Sequence, residues 1–232
     1  MPKLTDDDYR YLTSLDIRTV VDLRSKDERQ LSPTDWRAKP APRIIAVDYP
    51  GDVLFRRLQG YNGPAREFIT ERLYWDIPWL LRVEYRDLFD QMLQRHAPLV
   101  FFDSVGEDRT GIAAALILSA LGTPRDIIYR DYLLSTQDRH PQNEMADVNL
   151  QDYAATNAEA RFLIDYRNYA EKNRAAAQAA ASAPLMDSRG RPLIEDALEE
   201  IDLEFGSVEG YLDQMLGIHA EDIAKLRAIY LQ

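Results

Sequence analysis

Asp103, Glu107, Asp108 and Arg109 lie within one short stretch, Val100–Gly111, which reads VFFDSVGEDRTG. Three carboxylates crowd one guanidinium here, and carboxylates this close push their pKa values apart, so that one can serve as acid and another as base. An apolar run, Leu99–Phe102, leads into the stretch, and Gly106, Arg109, Thr110 and Gly111 open the apolar helix after it. A loop between a strand and a helix N-terminus holds an anion against backbone N–H groups, with the arginine fork gripping it. The N–H groups from Ser104 to Thr110, those of Val105 and Gly106 included, supply electrostatic stabilisation. A like-charge pair at ~4 Å and an effective dielectric of ~20 costs about 4 kcal/mol. A dianionic phosphate is therefore disfavoured in this loop unless a proton or cation intervenes.

The elements that position the loop are legible as patterns. Residues 5–15 form a helix with Thr5 as N-cap and Asp6, Asp7 and Asp8 in its first turn. Ile17–Leu23 and Arg43–Tyr49 are β-rich runs, and Leu99–Phe102 is a third strand. A Pro-rich loop and a Gly-rich loop (residues 50–64) flank the second strand. Residues 65–95 are helical in pattern, broken near Pro78, and Thr110–Leu121 is a helix stopped by Gly122 and Pro124. The second half is helical: Arg125–Ser135, the Ala-rich stretch 152–181, and residues 193–204, after which Gly206 ends one helix and Ser207 caps the next. Strands alternating with helices indicate an α/β fold with a small, mostly parallel central sheet flanked by helices, with additional C-terminal helices. Such a sheet binds ligands beyond the carboxyl ends of its strands, where 103–109 sits. The length fits a single domain over 1–232, with an α/β core at 1–135 and a helical extension at 136–232 packed on it.

Composition removes several chemistries. The chain has 232 residues, 46% hydrophobic, and a formal net charge of -11. That charge argues against nucleic-acid binding, which needs a positive field. With no cysteine, disulfides, thiolate catalysis and Cys-ligated zinc are excluded by count. The three histidines lack metal-ligand spacing. No stretch approaches the ~18 apolar residues of a bilayer span, and the first residues are polar, which points to a cytoplasmic protein.

Other residues carry two readings each. Arg24 projects toward the anion loop or forms a structural salt bridge with Asp22 or Asp27. Tyr74 and Trp75 are adjacent and cannot both face the core, so one lines a pocket or the surface; Trp79 packs in the core or helps wall an apolar pocket. Tyr61, in a Gly-flanked loop, is a lid residue or simply exposed. His140 is a helix-end charge before it is a catalyst. Tyr129 and Tyr132 pack beneath the loop helix. Phe102 lines the mouth of the loop or plugs it.

The stretch 100–111 resembles the HCxxGKDRTG signature of bacterial and fungal tyrosine-phosphatase-like enzymes. DIRTVVDLRSKDER, YRDLFDQMLQRHAPLVFF, DIIYRDYLLS and IDLEFGSVEGYLDQMLGI extend the resemblance over roughly the whole chain. It implies a phosphatase fold in which Arg109 binds the anion, Asp108 is the loop acid and Thr110 is the hydroxyl that bonds the nucleophile. Asp103 stands where the family has its nucleophilic Cys, Phe102 where it has His, and Glu107 where it has Lys. Three functions are open. The first is a repurposed enzyme, with Asp103 as base or nucleophile, Asp108 as acid and Glu107 tuning charge, acting on a small anionic metabolite. The second is an inactive pseudophosphatase that binds a ligand or partner. The third is an aspartyl-phosphate phosphatase, the one reading that requires a cofactor, Mg2+. Homo-oligomerisation is compatible with each.

Overall fold

The computed structural model describes residues 4–37, 39–55, 73–138, 148–175, 185–187 and 189–231. Three strands, β1 (Thr19–Asp22), β2 (Arg43–Ala46) and β3 (Leu99–Phe102), form a sheet in the order β2-β1-β3. Both pairings are parallel, with Thr19 opposite Arg43 and Leu99, and Asp22 opposite Ala46 and Phe102. The central strand is buried along its whole length, as expected for a strand covered on both faces. The β-rich runs Ile17–Leu23 and Arg43–Tyr49 extend beyond the strands they hold, whereas Leu99–Phe102 pairs over its whole length. The chain leaves the sheet after Ala46, and Tyr49 turns toward the site instead of pairing.

The helices in the first half are α1 (Asp6–Ser14), α2 (Lys26–Leu31), α3 (Asp52–Phe55), α4 (Tyr74–Leu80) and α5 (Arg82–Leu93). Thr5 caps α1 in a reciprocal box with Asp8. Helix α2 lies in a charged run that the apolar pattern leaves unassigned. Its start is encoded by Ser25 and Glu28, another capping box, in which Ser25 Oγ accepts from Glu28 N (3.2 Å) and Glu28 Oε2 from Ser25 N (2.8 Å). The helical pattern breaks at Leu81, just past Pro78, which itself stays inside α4. Pro78 is the fifth residue of α4, just past the first turn, whose N–H groups have no intrahelical partner in any case, so the missing donor costs one bond.

Then follow α6 (Arg109–Ala120), α7 (Arg125–Asp138), a 3-10 turn (Leu150–Asp152), α8 (Ala158–Lys172), α9 (Leu193–Phe205), α10 (Val208–Gln214) and α11 (Ala220–Tyr230). Gly206 ends α9 in the left-handed region (φ 78°) and Ser207 Oγ caps α10 through Gly210 N. The apolar face of α9 (Ile194, Ala197, Leu198, Ile201) packs on α4 and α6. These side chains join Val21 and Leu23 of the sheet segment and Ile112 and Leu116 of α6 in one apolar cluster. A second, small cluster of Leu31, Leu150 and Ala160 seats α8 on α2. Among the described residues no helix is long and apolar enough to cross a membrane. Tyr61 and His140 lie outside the described residues.

Candidate functional site

Parallel pairing brings the ends of all three strands to one edge, and one residue from the segment after each meets at Arg109. Glu28 comes from α2 after β1, Tyr49 from the turn after β2, and Asp103 from the loop after β3. Arg109 is the first residue of α6 and is buried. Its Nη1 and Nη2 donate to Glu28 Oε2 and Oε1 at 2.6 and 2.8 Å, an end-on fork. Nη1 also donates to Tyr49 Oη at 3.1 Å, and the Tyr49 hydroxyl donates in turn to the Leu23 carbonyl at 2.7 Å. Nε lies 3.6 Å from Asp103 Oδ2. Of five guanidinium donors, the end-on pair is thus committed to Glu28, and the Nε edge faces the loop.

Asp103 is buried and its carboxylate lies inside the curl of its own loop. Oδ1 accepts from Val105 N at 2.9 Å and from Gly106 N, and Oδ2 accepts from Thr110 N at 3.1 Å. Gly106 permits the curl with φ 82°, a region other residues rarely adopt. Thr110 N lies in the first turn of α6, so Asp103 is the anion at that helix N-terminus. Thr110 Oγ1 is buried without a hydrogen-bond partner among the described residues. Ser104 faces α2 instead of the loop interior, its Oγ donating to Glu28 Oε1 at 2.5 Å.

Burial pushes the Glu28 carboxyl up, but the charge and hydrogen bonds of Arg109, with help from Ser104 and Ser25 N, outweigh it and hold the group at about 2. Burial alone would lower Arg109; Glu28, Tyr49 and Asp103 raise it well above its ordinary value instead. This is a buried charge pair with its hydrogen bonds largely satisfied, the arrangement in which such pairs persist.

Asp108 sits beside this pair on a separate support. Tyr74 Oη donates to Asp108 Oδ1 at 2.5 Å, and the Tyr132 hydroxyl meets Tyr74 Oη. Since Tyr74 has a single proton, Tyr132 must donate to Tyr74, giving the chain Tyr132 to Tyr74 to Asp108. Burial, then Asp108, raise both tyrosines well above the ordinary value, so both stay protonated. The two rings cross edge to face at 6.2 Å. Tyr132 also lies under α6 at Gly111, where a Cβ would stand 2.9 Å from its ring.

Arg24 and Trp75 each take one of the two positions that their sequence context allows. Arg24 points away from the loop interior: Nε and Nη2 bind Asp22 at 2.9 and 2.8 Å, Nη1 the Ser32 carbonyl and Nη2 Thr34. Its guanidinium lies 5.0 Å over the Phe102 ring, which holds Phe102 as a packing surface. Trp75 is exposed, since its neighbour Tyr74 takes the inward position. Glu107 is buried with the loop. Trp79 packs against Phe205 and Tyr211. Composition and spacing missed Glu28; the Ser25–Glu28 capping-box spacing was the available signal.

The family model described as "Tyrosine phosphatase family" matches residues 1–232. A protein of Cupriavidus necator named "Putative tyrosine-protein phosphatase" is 29% identical over 235 residues, covering 97% of this chain and 73% of its own length. A "Tyrosine-protein phosphatase" of Nostoc commune is 25% identical over 233 residues, covering 97% of this chain and 70% of its own. With a match along its entire length, and an arginine loop at the carboxyl edge of a parallel sheet, this chain belongs to the tyrosine phosphatase family.

Proposed function

We propose that this protein is a phosphatase-fold binding protein that does not hydrolyse phosphate monoesters, because its anion cradle is filled from within. The carrying observation is the Asp103 carboxylate, which takes the N–H groups of Val105, Gly106 and Thr110. Those donors are what a bound phosphate needs, and a carboxylate sharing its lone pairs among three of them is a poor nucleophile. An incoming phosphate also meets its charge. At ~4 Å and an effective dielectric of ~20, each unit of like charge adds about 4 kcal/mol, while Arg109 is already balanced by Glu28. The surroundings of Asp103 do not suit Mg2+ either, since both oxygens face N–H donors and a guanidinium edge, a setting for anions. Among the described residues no group of three or more His, Cys, Asp or Glu side chains could hold a metal.

The test is turnover of p-nitrophenyl phosphate and of a phosphotyrosine peptide by wild type and Asp103→Cys. The expected result is no release above buffer for wild type and measurable release for Asp103→Cys. In that variant the loop N–H groups, Arg109 and Thr110 Oγ1 face a thiolate. Release by wild type that Asp103→Asn abolishes would overturn the proposal.

One observation favours a second reading, the repurposed acid–base enzyme on a small anionic metabolite. The Tyr132–Tyr74–Asp108 chain orients one carboxyl beside Arg109, as a general acid requires. Under that reading a screen of cell metabolites finds a compound consumed by wild type and spared by Asp108→Asn. A screen in which nothing is consumed leaves the binding protein standing.

A further inference from the structure

Tyr49 stands outside the anion loop, yet its side chain reaches Arg109 from the far side. Its main chain is seated on α2. The Tyr49 carbonyl accepts from Lys26 N at 2.9 Å, and Arg29 binds the Val47 carbonyl and Asp48 just before it. Its hydroxyl donates to the Leu23 carbonyl at 2.7 Å, at the exit of β1. A phenol has one proton, so Tyr49 Oη meets Arg109 with a lone pair. Burial raises the hydroxyl above its ordinary value against the pull of Arg109, which keeps that proton in place.

A guanidinium is a flat triangle carrying five N–H groups on three edges. In Arg109 the edge between Nη1 and Nη2 is taken by Glu28, at 2.6 and 2.8 Å. The other N–H of Nη1 lies on the next edge and goes to Tyr49 Oη at 3.1 Å. The two that remain, on Nε and Nη2, form the third edge, and Nε lies 3.6 Å from Asp103 Oδ2. A carboxylate fork alone lets the group rock in its own plane. An acceptor on the edge opposite the loop stops that motion. The main chain of Arg109 is held separately: Tyr85, fully buried on α5, donates from Oη to its carbonyl at 3.0 Å.

We propose that Tyr49 is a positioning residue for the anion site: its hydroxyl holds the Arg109 guanidinium from behind, so that the Nε–Nη2 edge faces whichever oxyanion fills the loop. Glu28 supplies the balancing charge, and Tyr49 supplies the orientation. In this chain the oxyanion in the loop is the Asp103 carboxylate.

Nitrogen-15 spectra of the guanidinium groups, recorded on the full chain labelled in arginine, read the positioning directly. In wild type, the Nη protons of Arg109 are expected as separate signals, with a through-space contact from Nη1–H to the Tyr49 ring. In Tyr49→Phe the outer Nη1 proton is expected to move upfield and the Nε signal to broaden as the group rocks. In Tyr85→Phe, which removes a hydroxyl from the main chain of the same arginine, both signals are expected to stay in place. Orthophosphate binding to Asp103→Ala, by calorimetry, gives the functional arm, which rests on the reading of Asp103 as an internal anion. Adding Tyr49→Phe is expected to weaken binding about tenfold through misorientation, and adding Tyr85→Phe to leave it within about twofold. Unchanged Arg109 signals in Tyr49→Phe, or equal effects of the two tyrosine variants, overturn the proposal. If Asp103→Ala gains no affinity for phosphate, the reading of Asp103 fails and the spectra alone decide the role of Tyr49. If Tyr49→Phe does not fold, the wild-type contact decides, and its absence overturns the proposal.

Discussion

Arg109 and Glu28 are 81 positions apart in the chain and share one fork of hydrogen bonds out of reach of solvent. Removing one partner of such a pair strands the other, which is costly, whereas removing both is often close to neutral. Arg109→Ala is therefore expected to lower stability by about 3–5 kcal/mol, and Arg109→Met with Glu28→Leu to recover most of it, as read by urea unfolding. Equal destabilisation by the single and double variants would contradict the pairing. At this scale the sequence was partly legible. Asp103, Asp108, Arg109 and Thr110 occupy one local stretch, and a loop before an apolar helix is recognisable from types and spacing. The partner of Arg109 was not, because Glu28 comes from a distant turn and its charge looks like any solvated carboxylate until the sheet closes. The spacing SxxE before LSP marks a capping box, and reading it would have placed Glu28 on a helix directly after β1. Of the two readings for Arg24, the salt bridge to Asp22 two residues earlier is the one the structure takes.

Helix α6 carries the loop on one end and rests on α7 through Gly111, whose missing side chain makes room for the Tyr132 ring. A methyl group there would stand 2.9 Å from that ring. Gly111→Ala is thus expected to cost about 1–3 kcal/mol by overpacking and to displace Tyr132 from Tyr74. Thermal unfolding reads the first effect. The second appears as an earlier alkaline titration of the buried tyrosines by ultraviolet absorbance, and an unchanged titration would contradict the relay. The elements themselves were largely readable, since β-branched runs, caps and Gly stops are local signals. Helix α1 begins at its Thr cap and α9 ends at Gly206. The miss was also local in cause: helix α2 has too few apolar residues for a periodic face.

Across the whole molecule, two carboxyls near one arginine pull stability in opposite directions with pH. Glu28, held near 2, contributes stability that is complete above the ordinary carboxylate range and is lost as pH falls toward 2. Glu159, raised to about 8, has the opposite sign, lowering stability as pH climbs from the ordinary carboxylate range to about 8. Stability is therefore expected to peak on the mildly acidic side of neutrality. Glu159→Gln should be more stable than wild type at pH 8 and converge with it near pH 4.5, as urea unfolding at a series of pH values would show. Curves that stay parallel across that range would contradict the assignment. The net charge of -11 adds a general repulsion that salt relieves, whereas the buried groups respond weakly to salt, so the comparison is best made at 0.15 M ionic strength, where the Debye length is ≈ 8 Å.

The central claim is that Asp103 occupies the place of an external anion. Calorimetric titration with orthophosphate at low salt, on wild type and Asp103→Ala, addresses it most directly. Removing the carboxylate frees the N–H groups of Val105, Gly106 and Thr110 beside the Nε edge of Arg109. Asp103→Ala should bind phosphate at least tenfold more tightly than wild type, and Arg109→Ala added to it should abolish the gain. Wild type binding phosphate as tightly as Asp103→Ala would contradict the account.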